Sequence, residues 1–372
     1  MKLTIERAAL LKALGHVQSV VERRNTIPIL SNVLLSAEGG ALAFSATDLD
    51  MEILDEAAAD VSNAGQITAP AHTLYEIVRK LPDGAEVELK FNGEDPRLAV
   101  SAGRSRFNLP VLPSGDFPAM STDGLAGKMT LDTEALIRLI DKTRFAISTE
   151  ETRYYLNGLY LHTVMEGGQA KLRAVATDGH RLALAEMPAP EGAAGAPGVI
   201  VPRKTVQECR RLLEDAGETV ELQVSAAKVR FDLGRARLTS KVIDGSFPDY
   251  VRVIPKDNPK SVMIDNAMFA AAVDRVATIS AEKSRSVKMA VETGRLILTV
   301  RNMEAGQAVE EVEIDYEGDS FEIGFNARYL LDVAGQIQGE MAEFRFADPS
   351  SPTLVLDPAD AGVQYVLMPL RV

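Results

Sequence analysis

Of 372 residues, only Cys209 is cysteine, none is tryptophan, and 5% are aromatic. A lone thiol can form neither an internal disulfide nor a cysteine-rich zinc site, so a reducing compartment is expected. No apolar run approaches the ~18 residues of a membrane-spanning helix. The start, Met1-Lys2-Leu3-Thr4-Ile5-Glu6-Arg7, meets charge before any long apolar stretch and does not read as a secretory signal. These absences predict a cytoplasmic protein. The four histidines, His16, His72, His162 and His180, include no His-x-x-x-His pair, and there is no phosphate-binding glycine loop and no Gly-x-Ser-x-Gly elbow. No catalytic residue, metal site or cofactor is therefore predicted.

What is present fits a folded protein of several domains. Apolar residues make up 46% and charged residues 25%, which excludes a disordered chain. The length suggests two to four domains, since single cores stop growing near ~250–300 residues. The net charge of −13 disfavours a simple basic nucleic-acid binder.

One grammar occurs three times: strand, short punctuation, helix, turn, strand. The punctuation is Ala69-Pro70, Val201-Pro202 and Phe325-Asn326. Ala46-Thr47-Asp48 recurs as Ala176-Thr177-Asp178, and Asp116-Phe117-Pro118 recurs as Ser246-Phe247-Pro248, both 130 residues on. Order and spacing together imply three repeated domains, 1–124, 125–253 and 254–372, with linkers near 121–128 and 253–260.

Each repeat carries two amphipathic helices. The first helices are marked by Leu10, Leu11, Leu14 and Val17; by Leu136, Leu139 and Ile140; and by Phe269, Val273 and Val276. The second helices are marked by Leu74, Ile77, Val78 and Leu81; by Val206, Cys209 and Leu213; and by Leu330, Val333 and Ile337. Between them, runs such as Val87-Glu88-Leu89-Lys90-Phe91 alternate with period two, as antiparallel strands do. The predicted fold is α+β, two helices packed on antiparallel sheets, three times over.

The negative sum hides a segregation. The six helical stretches with their entrances total +7, leaving −20 elsewhere. Any one such helix reads most simply as a solvated face. All six being basic or neutral suggests a mildly basic surface, and loose phosphate contacts give affinity without sequence preference.

The segments Arg153-Tyr154-Tyr155-Leu156-Asn157-Gly158, Ala176-Thr177-Asp178-Gly179-His180-Arg181-Leu182, Ser246-Phe247-Pro248-Asp249-Tyr250, Gly324-Phe325-Asn326 and Tyr365-Val366-Leu367-Met368-Pro369-Leu370-Arg371-Val372 resemble the bacterial DNA polymerase III beta subunit family, the sliding clamps. The start and Ile27-Pro28-Ile29-Leu30-Ser31-Asn32 fit as well, so the likeness spans the chain. It implies three DNA-clamp domains per chain, a head-to-tail homodimeric ring around duplex DNA, and a processivity role without catalysis. Implied partners are the DNA polymerase III alpha subunit, the clamp loader with its delta subunit, and other polymerases and repair proteins carrying clamp-binding peptides.

The resemblance also implies sites. A partner-peptide pocket would include Leu156, Thr177, Gly179, His180, Arg181, Leu182, Pro248, Arg252, Val253, Asn326 and Tyr329, with Val366, Leu367, Met368, Pro369, Leu370 and Arg371 of the tail. Apolar walls would take apolar anchors while Arg181 and backbone groups orient the peptide. Ser284 departs from the aromatic side chain usual there. DNA contacts would fall on Arg24, Tyr154 and Tyr155, and at the positions of His72 and Glu150, which differ from the expected residue types. Charge alone adds Arg79, Lys80, Lys142, Arg144, Arg203 and Lys204.

A dimer contact is argued from strand edges. The stretch Arg104-Ser105-Arg106-Phe107-Asn108-Leu109 would face an acidic edge carrying Glu304, Glu310, Glu311 and Glu313, with Phe107, Leu109 and Ile279 sealing it. Two rivals differ in class. An enzyme would need Asp48-Leu49-Asp50 or His180 to act chemically, and a scaffold unrelated to DNA would share the repeat and pocket without retention on circular duplex.

Overall fold

A computed structural model describes every residue except 24–25, 94, 281–284 and 372. Among the described residues, six α-helices follow the apolar stripes. They are α1 (Arg7–Gln18), α2 (Ala71–Lys80), α3 (Thr133–Asp141), α4 (Arg203–Leu212), α5 (Asn266–Ala277) and α6 (Ala327–Ala334). Leu10, Leu14 and Val17 of α1 are buried, as are Leu74 and Val78 of α2, because spacings of three and four keep one face inward. The punctuation residues sit immediately before the second helices, at Pro70, Pro202 and Asn326. The fixed φ of proline suits a strand-to-helix step. Asn326 serves differently, its side-chain oxygen accepting the Arg328 N–H at 2.9 Å as an N-cap.

The chain divides into two compact units that do not follow the repeats: residues 1–134 with 190–242, and residues 135–189 with 243–372. The first unit holds a five-stranded sheet in the order Asp60–Asn63, Lys2–Glu6, Glu86–Lys90, Arg97–Ala102, Ser105–Pro110. Its second sheet joins two repeats, because Met51–Ala58 pairs antiparallel with Ala236–Lys241 and sets Ile53 opposite Leu238. In the second unit Arg181–Pro188 likewise pairs with Asp360–Leu367, setting Leu182 opposite Val366. That unit's four-stranded sheet runs Gly306–Glu313, Arg295–Asn302, Ser286–Glu292, Phe321–Asn326. Alternation decides the faces: in Glu86–Lys90, Val87 and Leu89 are buried while both ends are exposed. No described helix is long and apolar enough to cross a membrane.

Candidate partner pocket and nucleic-acid surface

In the second unit, a cavity of about 190 Å³ is lined by Leu156, Thr177, Gly179, Arg181, Leu182, Pro248, Tyr250, Val253, Val366 and Met368. Its wall is continuous with a core formed by Val175, Leu182, Leu184, Tyr250, Leu354 and Val366. Nine of the ten lining residues are positions expected from the sequence, and Tyr250 is the addition. Its place in the Ser-Phe-Pro-Asp-Tyr run was the available signal, but nothing in the run shows that its ring turns inward.

A tight turn builds the rim. The Thr177 hydroxyl accepts the Gly179 N–H at 3.1 Å and donates to the Arg181 carbonyl at 2.7 Å. One Asp178 oxygen accepts the N–H groups of His180 and Arg181 at 2.9 and 3.0 Å. Gly179 has φ +88°, a conformation glycine adopts without strain, and a Cβ there would meet Arg153 Nη1 at 2.6 Å and displace the end of that side chain. The tail closes the rim through the Met368 N–H, which donates to the His180 carbonyl at 2.9 Å.

Arg181 is held in place by its own neighbours. It lines the cavity, but its side chain is only 8% exposed and each guanidinium nitrogen already has an acceptor within the protein. Nε donates to Asp178 at 3.1 Å, Nη1 to Asp332, and Nη2 to the Phe145 carbonyl at 2.7 Å. The group lies 4.5 Å from the Tyr329 ring centroid and 5.1 Å from that of Phe145. Arg181 therefore braces the turn from within the cavity wall.

Behind the pocket, the Tyr250 hydroxyl lies 3.0 Å from His162 Nε2 and 3.5 Å from Arg173 Nη1. Burial raises the Tyr250 pKa, so the hydroxyl stays protonated. Burial, assisted by the Arg173 charge, pushes His162 down to about 4. Arg173 also donates to Glu186 at 2.6 Å and to Glu166 at 2.7 Å, and hydrogen bonds from Lys171 and Arg173 hold Glu166 down at about 2. A polar clamp thus fixes the ring whose other side is the pocket wall.

The remaining pocket candidates lie beside this cavity. His180 stacks near Tyr329 at 6.3 Å, and the Leu370 N–H donates to the Gly324 carbonyl at 2.8 Å. The Asn326 side chain is spent on its helix cap. The Arg252 side chain, 85% exposed, pairs with Asp249 at 2.7 Å. Leu367 is buried, Pro369 is half-buried and Arg371 exposed. Ser284 lies outside the described residues.

The nucleic-acid candidates divide more sharply. Tyr154 is exposed and meets Tyr155 edge-on at 5.8 Å. Arg79, Lys80 and Arg203 are exposed, with Arg79 paired to Glu76 at 2.7 Å. Glu150 pairs with Arg153 at 3.3 Å, and Arg144 with Asp141 at 3.0 Å. His72 spends both ring nitrogens on partners from the end of the first helix onward, Nδ1 lying 2.7 Å from the Gln18 side-chain amide and Nε2 2.9 Å from the Val21 carbonyl. Lys204 donates to Asp48 at 2.5 Å. Lys142 is buried, donating to the Gln336 carbonyl, and burial lowers its pKa; charge counting had misread a core lysine as a surface one. Arg24 lies outside the described residues.

Ser105–Pro110 and Gly306–Glu313 are end strands of their sheets. Arg104 and Arg106 are exposed, and Phe107 is partly so. Leu109, at 6% exposure, faces its own core opposite Leu98, so it is not available to seal a contact. Ile279 is half-buried, Glu304 is exposed, and Glu310 accepts from Arg275 at 2.7 and 3.0 Å. Asp48-Leu49-Asp50 is a turn, with one Asp48 oxygen accepting the N–H groups of Asp50 and Met51. Among the described residues, no group of three or more His, Cys, Asp or Glu is arranged to hold a metal ion.

Comparison with known proteins adds independent findings. Family models of the DNA polymerase III beta subunit match throughout: the N-terminal domain over residues 1–121, the central domain over 130–249 and the C-terminal domain over 251–371. The sequence is 79% identical to the beta sliding clamp of Caulobacter vibrioides (strain NA1000 / CB15N) and 38% identical to that of Escherichia coli (strain K12), each across 100% of both chains. A C. crescentus beta sliding clamp with PEG bound to a beta-motif tethering region shares 79% identity at TM-score 0.98, covering 100% of this chain and 99% of that one. A Bartonella birtlesii sliding clamp bound to griselimycin shares 47% identity at TM-score 0.97, covering 100% of both.

Proposed function

Because the chain belongs to the DNA polymerase III beta subunit family, the bacterial sliding clamps, we propose that the cavity around Leu182 is where its replication partners dock. The chain is a non-catalytic DNA polymerase processivity factor, acting with a second copy of itself on duplex DNA. In this reading it tethers the polymerase alpha subunit, the clamp loader through its delta subunit, and other polymerases and repair proteins that carry a clamp-binding peptide.

The observation that carries the docking site is the apolar wall of Leu156, Leu182, Tyr250, Val253 and Val366 beside an internally braced turn. Such a wall gains affinity from apolar anchors and loses little to ordering on binding. The bound compounds in the related clamp structures fit the same reading. Tyr154, Tyr155, Arg79, Lys80 and Arg203 are proposed as loose DNA contacts, with Arg24 added from the resemblance. Arg104, Arg106 and Phe107 are proposed to meet an acidic edge carrying Glu304 and Glu310 in the second copy. Functional domains at 1–124, 125–253 and 254–372, and residence in the cytoplasm, complete the proposal.

The test is retention on DNA. Assembled by a clamp loader on nicked circular duplex, the protein should stay bound and should leave once the circle is linearised. Equal loss from circle and linear DNA would overturn encirclement.

A further inference from the structure

Strand ladders allow one repeat to be laid on the next. In the first unit Ser45 lies opposite Leu34, and Ala43 lies between Ser36 and Glu56. In the second unit Val175 lies opposite Tyr160, and Arg173 lies between His162 and Glu186. Leu34, Ser36, Ala43 and Ser45 therefore stand where Tyr160, His162, Arg173 and Val175 stand. In the second unit the space is filled: Tyr160 stacks on His162 at 4.3 Å and on Phe247 at 4.9 Å, and Arg173 bonds Glu186.

In the first unit the smaller residues leave a hollow of about 550 Å³. That lies within the roughly 300–1,000 Å³ of ligand-binding clefts. Leu34, Ala43 and Leu54 give it an apolar floor, with Ser36 and Ser45 adding hydroxyls. Arg235 and Arg237 stand at the rim with side chains 47% and 42% exposed. Arg235 approaches Asp55 at 3.5 Å, but that carboxylate is already taken by His16 at 2.7 Å. Arg237 meets Asp232 at 3.1 Å, and the remaining exposed charge of the lining is Glu56.

We propose that this hollow is a second docking site, taking a peptide segment that carries an apolar side chain next to a carboxylate. The apolar side chain covers Leu34 and Leu54 and excludes water from them. The carboxylate accepts the guanidinium N–H groups of Arg235 and Arg237 that Asp55 and Asp232 leave unused. A lysine in its place faces both guanidinium groups and has only Glu56 to offset them.

Methyl NMR of the full-length dimer tests this, with N-acetyl-leucyl-glutamate and N-acetyl-leucyl-lysine as probes. The glutamate peptide should shift the Leu34 and Leu54 methyls saturably, and the lysine peptide should bind about tenfold more weakly. Ala43→Arg, which fills the hollow as the second unit does, should abolish the shifts. Arg237→Gln, a surface change, should weaken glutamate-peptide binding several-fold while leaving the Leu182 methyls unmoved. No saturable shift, equal binding of the two peptides, or unchanged binding in Arg237→Gln would overturn the proposal.

Discussion

Asp55, whose side chain is fully buried, lies 2.7 Å from Nδ1 of His16. The other ring nitrogen of His16 lies 2.9 Å from Asp215, which Lys12 also grips at 2.6 Å. Helix α1 of the first repeat is thereby tied to the second repeat, within the first compact unit. Hydrogen bonds from Lys12 and His16 hold the Asp215 carboxyl below its usual range.

His16→Ala removes the histidine partner of a buried carboxylate, leaving Asp55 with the Glu56 N–H at 2.7 Å and Arg235 at 3.5 Å. Losing one hydrogen-bond partner of a buried polar group costs about 1–3 kcal/mol. The expected outcome is a loss near the low end of that range, read as an earlier denaturant transition. An unchanged midpoint would mean that the tie is not a structural one.

Leu182→Ala should weaken a polymerase-derived clamp-binding peptide by roughly 1–3 kcal/mol, as loss of a central interface residue does. Fluorescence anisotropy measures it. Unchanged affinity would move the docking site away from this cavity.

Arg181→Met separates bracing from recognition. The substitution removes a charged donor from both Asp178 and Asp332, so stability should fall by about 1–3 kcal/mol. Peptides with and without an acidic residue should lose affinity equally. Selective loss for acidic peptides would assign Arg181 a direct role in reading them.

Acidification should weaken the second unit through His162. Its folded pKa, about 4, lies below the unfolded value near ~6.5, so the unfolded chain binds more protons between these limits. Stability contributed by the neutral ring is present above the unfolded value and is lost as pH falls from ~6.5 toward about 4. In His162→Gln this part of the pH dependence should vanish, and an unaltered slope would assign it to other groups.

Arg104→Glu combined with Arg106→Glu should give monomers in analytical ultracentrifugation, because the proposed opposing edge is acidic. A persistent dimer would place the contact elsewhere.

Much of this was legible in order and spacing. The 130-residue echo of Thr47-Asp48 in Thr177-Asp178 announced equivalent turns, and both form, although Leu49 takes at φ +78° the place that glycine holds in the second copy. Helix stripes and alternating strands followed from which side chains avoid water. Charge counting worked less well because it ignores depth, and Lys142 is buried; the resemblance placed Arg181 and His72 without showing the neighbours that hold them.

The sequence alone determined the threefold repeat, the α+β elements and the family, since these depend on local patterns and their order. Tertiary structure decided which strand edges join across repeats, because pairing depends on partners far apart in the chain. It also decided which equivalent places are open. Thr47 pairs with Glu52 as Thr177 pairs with Leu182, yet burial raises the Glu52 pKa while Leu182 walls a pocket. Cavities belong to the packing of several side chains together, and no single position carries them.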